Sequence, residues 1–196
     1  MTTIPNIRKD MTTGERNGPD DDTISSYLNA LRKIFVVEDM SAWCPNLRCK
    51  TPVRTSDTRY FADPSIATAS LRIGPRGLME DLKTFGFMFE TLAVRDLRVY
   101  ADAHFGDVRH YHDANGLECD VVVSLRDGRY GLIEVKLGGE QLIERGADTL
   151  KKLASRIDTA KIAKPSFMMV LTAVGECAYT RPDDGVVVCP IGCLRD

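Results

Sequence analysis

The sequence has no apolar run at its start and no stretch near the roughly 20 apolar residues that a spanning helix needs. Met1 to Asp10 lacks the core of a signal peptide, so the expected location is cytoplasmic and no membrane partner is expected. There is no CxxC pair and no histidine at finger spacing, which argues against zinc. Cys44 with Cys49, or Cys189 with Cys193, come nearest to a ligand pair. With no export signal, the six cysteines read as unpaired thiols, with Cys119, Cys177 and Cys189 in apolar surroundings. A phosphate loop of the form G-x-x-x-x-G-K-[ST] is missing, which excludes a P-loop ATPase within these residues. Excess charge is missing too. With 26 Lys and Arg against 28 Asp and Glu, the net charge of -2 excludes a broadly basic coat, so any nucleic-acid contact must be local or metal-assisted.

What is present suits one core with a small appendage, since 43% of the 196 residues are hydrophobic. Residues 1–22 are polar, with Asn17-Gly18-Pro19 and Asp20-Asp21-Asp22, and read as a disordered tail. Residues 23–76 read as a small helical or winged-helix-like element. Thr23 caps a helix carrying Ile24, Tyr27, Leu28 and Leu31, Ile34 to Val37 and Arg59 to Ala62 form strands, and Asp63-Pro64 opens another helix. Residues 77–196 read as an α/β domain. Apolar spacing predicts one helix from Leu78 to Ala103 with Glu90 on it, then strands over 108–112, 118–125 and 130–137. The links Asp113-Ala114-Asn115-Gly116 and Arg126-Asp127-Gly128 are turn-forming, so these strands are expected to be antiparallel neighbours. A helix over 140–157, with Leu142, Ile143, Leu150, Leu153 and Ala154 inward, and strands over 167–174 and 186–188 complete the expected order. No internal repeat is visible.

Two of these strands carry the chemistry. Alternation puts Glu134 and Lys136 on one face, opposite Ile133, Val135 and Leu137, and Asp120 stands on the neighbouring strand. Two carboxylates and a lysine that converge can hold a divalent cation and steady a phosphoryl-transfer transition state. The plainer alternative is an exposed sheet face with a surface ion pair worth under about 1 kcal/mol. His110 and His112 share a strand face and could add ligands or a general base, or simply be exposed strand positions. Glu118 is a spare carboxylate or the end of a sheet-edge ion pair. Lys151, Lys152 and Arg156, in the most basic stretch, either contact phosphates or form a solvated helix face. Trp43 and Tyr27 could stack bases, although a core role suits a lone tryptophan better.

Asp120 followed by Glu134-Val135-Lys136, on this order of elements, resembles the PD-(D/E)XK nuclease superfamily. More narrowly, Gly86-Phe87-Met88-Phe89-Glu90, Tyr111 to Asp120 and Ile133 to Lys136 look like the nuclease-like domain of unknown function at the C-terminus of bacterial and archaeal AAA-type ATPases. Tyr60-Phe61-Ala62-Asp63-Pro64 and Tyr27-Leu28-Asn29-Ala30-Leu31 match weaker parts of that pattern, and the likeness covers roughly residues 23–194. The resemblance implies a restriction-endonuclease-like core and Mg2+ or Mn2+ bound by Asp120 and Glu134 with the carbonyl of Val135. It also implies Lys136 as catalytic lysine and Glu90 as the acidic residue of the first core helix. Cys119 stands where the motif has proline, and the ATPase half is absent, which implies a truncated member or an ATPase partner on another chain. The implied activity is hydrolysis of phosphodiester bonds in nucleic acid, DNA foremost. The other outcome is an inactive binding module serving that ATPase.

Overall fold

The computed structural model describes residues 3–12, 18–45 and 56–195. Cys49 and part of the expected tail, including Gly14 and Asn17, lie outside the described residues. The expected tail nevertheless contains helix α1, Ile4–Met11, with Thr3 as cap and Pro5 in its first turn. Composition weighed the polar residues here, whereas cap and proline are local helix-start signals. Helix α2, Asp21–Lys33, is capped by Asp20, whose side chain accepts from the Thr23 N–H, so the cap stands three residues before the one expected. Phe35, at φ 57°, turns the chain, and strand β1 therefore begins later than expected, over Val37–Met40. It pairs antiparallel with β2, Thr58–Phe61. Asp63 and Pro64 open α3, Pro64–Leu71, as expected, with Asp63 accepting from the Ser65 N–H. The long helix is divided into α4, Pro75–Glu80, and α5, Leu82–Ala103. The break is at Asp81, whose carboxylate accepts from the Thr84 N–H and hydroxyl and starts a new helix although the apolar spacing runs on.

Strands β3, Asp107–His112, β4, Glu118–Ser124, and β5, Tyr130–Lys136, follow as an antiparallel run. Helix α6, Glu140–Arg156, crosses over to β6, Phe167–Thr172, which lies parallel to β5. The edge is completed by β7, Tyr179–Thr180, and β8, Val187–Pro190, in a six-stranded mixed sheet of order β3-β4-β5-β6-β8-β7.

Helices cover both faces of this sheet. Phe89, Ala93, Val94 and Leu97 of α5 pack with Val121, Ile133, Val135 and Leu171. Ala147, Leu150 and Leu153 of α6 pack with Val122, Leu132 and Val170. Leu142, expected inward, is instead 36% exposed. The N-terminal segment is joined to this core: Met40 and Tyr60 lie in the α5 layer, and Trp43, edge-on to Tyr111 and tilted against Tyr130, lies in the α6 layer. Ala42 bridges to His110 beside β3. Tyr27 is exposed. Cys44 is disulfide-bonded, against the expectation of unpaired thiols, while Cys119, Cys177, Cys189 and Cys193 are free. The missing export signal bears on compartment, not on whether two thiols meet.

Candidate active site

Asp120, Glu134 and Lys136 converge. The β4–β5 ladder ends at Val121 opposite Ile133. One residue beyond, Asp120 Oδ2 accepts the Val135 N–H at 2.8 Å and contacts Lys136 Nζ at 3.0 Å. A side chain thus takes the place of a ladder carbonyl, which fixes the carboxylate at the strand end. Lys136 Nζ also lies 2.6 Å from Glu134 Oε2.

On the face that they share, Lys136 is part-exposed but Glu134 is closed off from solvent. Glu134 is 4% exposed because α6 lies over it. Gly146 permits that approach: a Cβ there would stand 3.4 Å from the Glu134 Cβ and 3.1 Å from Val170 Cγ2. Gly138 and Gly139, at φ 126° and 89°, turn the chain directly from β5 into α6. A surface ion pair is thereby excluded.

Burial first, and Asp120's like charge second, push Glu134 up to about 8, outweighing Lys136. Burial pulls the Lys136 ammonium down, but Asp120 and Glu134 outweigh it and raise its pKa. Glu90 reaches the same cluster from α5. Burial and then Asp120 raise its pKa, against the hydrogen bond from Tyr60 and the charge of Lys136. Among the described residues no three His, Cys, Asp or Glu side chains form a group placed to hold a metal ion. Asp120 and Glu134 still suit Mg2+ or Mn2+ by chemistry, because Mg2+ is bound through one or two carboxylates and keeps several waters.

A family model described as Domain of unknown function (DUF4143) matches residues 85–194. The chain belongs to the DUF4143 family. A second model, Domain of unknown function (DUF8612), matches residues 6–77. No curated protein and no solved structure matches the chain.

All four candidate residues, Glu90, Asp120, Glu134 and Lys136, lie within the DUF4143 span. Asp120 borders two cavities. One, of about 500 Å³, is lined by Glu134, Lys136, the turn Asn115 to Leu117, and Asp148, Thr149 and Lys152 of α6. The other, of about 530 Å³, is lined by Glu90, His110, His112 and Glu118 of the DUF4143 span together with Tyr60 of the DUF8612 span.

The two histidines are buried, not exposed strand positions. His110 Nδ1 stands 3.0 Å from the Met40 carbonyl, which assigns the proton to that nitrogen, while Nε2 has no hydrogen-bond partner among the described residues. Burial lowers the His110 pKa. His112 Nε2 meets Glu118 at 3.1 Å, making Glu118 the sheet-end partner. Neither histidine lines the cavity that holds Glu134 and Lys136.

The basic stretch divides. Lys151 pairs with Asp148 and Asp184, and Arg156 with buried Asp113 at 2.7 Å. Asp113 Oδ1 also accepts the N–H groups of Asn115 and Leu117, so Arg156 braces the turn that walls the site. Lys152 alone of the three lines the cavity, and it forms no ion pair among the described residues. The residue that sequence reasoning left without a role is Tyr60, whose hydroxyl donates to Glu90 Oε1 at 2.6 Å. It stood in a noted motif, but nothing local links it to Glu90.

Proposed function

We propose that the chain is a metal-dependent nuclease-like domain that hydrolyses phosphodiester bonds in nucleic acid, DNA foremost. The observation that carries this reading is Glu134, a buried carboxylate held beside a second carboxylate with one lysine between them. Three acidic groups share one ammonium, so the buried Glu134 holds a proton up to about pH 8 for want of a second cation. A divalent cation would take that proton's place.

The order α5, three antiparallel strands, α6 and a parallel β6 supports the PD-(D/E)XK-like core that the motif implied. Asp120 and Glu134 would hold Mg2+ or Mn2+, which when bound supplies Lewis-acid charge and an activated water. Lys136 would donate hydrogen bonds to the phosphoryl oxygens as they gain charge. Glu90 would hold Lys136 in orientation from the α5 side. Lys152, on the far wall of the same cavity, would meet a backbone phosphate.

The test is incubation of purified protein with single- and double-stranded DNA and RNA in Mg2+ or Mn2+, beside Glu134→Ala and Lys136→Ala. Cleavage that needs the metal and vanishes in both variants supports the reading. A folded protein that neither cleaves nor gains thermal stability from Mn2+ sinks it.

One observation favours a second reading, an inactive nuclease-fold module serving an ATPase on another chain. Lys136 already pairs with both carboxylates, and Lys151 and Arg156 are already paired with aspartates. Such a module would bind its partner with Glu134→Ala as well as without it.

A further inference from the structure

Glu90 is held by something that the DUF4143 span does not contain. Its carboxylate is part-buried and faces the like charge of Asp120, which favours its swinging away from the cluster. Tyr60 opposes this with a hydrogen bond of 2.6 Å. Tyr60 is itself 9% exposed and packed with Met40 and Phe89, so the donor is rigid.

The β1–β2 pair that carries it is fastened to the rest of the fold through β1 and the residues flanking the two strands. Asp63 pairs with Arg95, and Glu38 with Arg98. The His110 N–H bonds to Ser41 O at 3.1 Å, and the Trp43 N–H to His110 O. A donor on a packed aromatic ring, delivered by a braced hairpin, fixes direction as well as distance.

We propose that Tyr60 is a positioning residue that holds Glu90 against the Asp120 and Lys136 edge of the site, so that the DUF8612 span completes it. This rests on the hydrolytic reading above. A tyrosine that merely satisfied its own buried hydroxyl would add stability and leave turnover alone.

The test uses the full chain with Tyr60→Phe, which keeps the ring and removes the hydroxyl, with Glu90→Ala, and with the pair combined. With Mn2+, Tyr60→Phe is expected to lower kcat by roughly tenfold to a hundredfold, the scale of a misplaced group, and to leave KM unchanged. Added to Glu90→Ala, it is expected to lower kcat no further. In metal-free protein, denaturation of the same four chains should show the two changes coupled by roughly fivefold or more in the unfolding constant. Wild-type turnover in Tyr60→Phe, or additive effects in the denaturation cycle, overturns this proposal and leaves the hydrolytic reading standing. Absence of both cleavage and Mn2+ stabilisation in the wild type overturns that reading, while the metal-free cycle still decides whether Tyr60 fixes Glu90.

Discussion

Lys136 Nζ stands 2.6 Å from Glu134 Oε2, yet the Glu134 pKa rises to about 8. Contact with a cation ordinarily favours the charged carboxylate. Here burial under α6 and the charge of Asp120 act together against a single ammonium that Asp120 also shares. The pair is held together by the fold rather than holding it together.

Stability should therefore depend on pH in a direction unusual for a carboxylate in a salt bridge. The folded protein keeps a proton on Glu134 that the unfolded chain has released, so this group's contribution to stability is greatest below the ordinary value of 4.5 and is lost as pH rises toward about 8. The slope from this group is at most about 1.4 kcal/mol per pH unit. Asp113 and Asp184, whose pKa values are lowered, act on the acid side of this window, but His110, lowered from 6.5, adds a rise inside it and Glu90, raised, adds to the fall, so the Glu134 share is the difference between wild type and a variant without the carboxylate. Urea unfolding across the window should show a more downward slope in wild type than in Glu134→Gln. An equal slope in that variant removes Glu134 as a source.

Replacing the lysine tests the same balance from the other side. Lys136→Met keeps the apolar stem and leaves two carboxylates without their cation, and is expected to cost about 1–3 kcal/mol at neutral pH. Lys161→Met breaks the exposed pair with Asp158, which water screens, and should cost clearly less. Denaturant midpoints of the two variants decide the matter, and equal losses would mean that the buried cluster is no more demanding than the surface.

Lys152 and Arg156 should separate cleanly. Lys152→Ala is expected to weaken binding to DNA of any sequence and to reduce the salt slope by about one phosphate contact. Arg156→Ala strips buried Asp113 of its guanidinium, so it should cost about 1–2 kcal/mol of stability and leave the salt slope unchanged. Filter binding across a salt series, with unfolding measured alongside, distinguishes them. A reduced slope in Arg156→Ala would place that residue on the nucleic acid after all.

Much of the sheet was legible because its signals are local. Alternation marked β3 to β5, the turns at Asp113 and Asp127 set their antiparallel order, and Asp63-Pro64 announced α3. The α4–α5 break was not legible, since the apolar spacing continues through Leu82 and only the Asp81 cap interrupts it. The two-residue β7 is too short to carry a pattern. The three motif residues Asp120, Glu134 and Lys136 do meet in space, but alternation alone assigned Glu134 to an outer face, and only the crossing of α6 buries it. Tyr60 lies 30 residues from Glu90, a pairing made by the tertiary fold alone.

Gly146 offers a way to undo that burial without touching a charged group. Alanine there would press its Cβ to 3.1 Å from Val170 Cγ2, while relieving the helix of a glycine worth about 1 kcal/mol, so Gly146→Ala should stay within about 1 kcal/mol of wild type. Valine adds bulk between α6 and the sheet and should cost about 1–3 kcal/mol through overpacking. The informative consequence is electrostatic. If Gly146→Val lifts α6 from β5, water reaches Glu134, its pKa falls back toward 4.5, and the decline of stability between there and about pH 8 shrinks. Urea unfolding of Gly146→Val at several pH values tests this directly. A destabilised variant that keeps the wild-type pH slope would mean that Asp120, not the covering helix, is what raises Glu134.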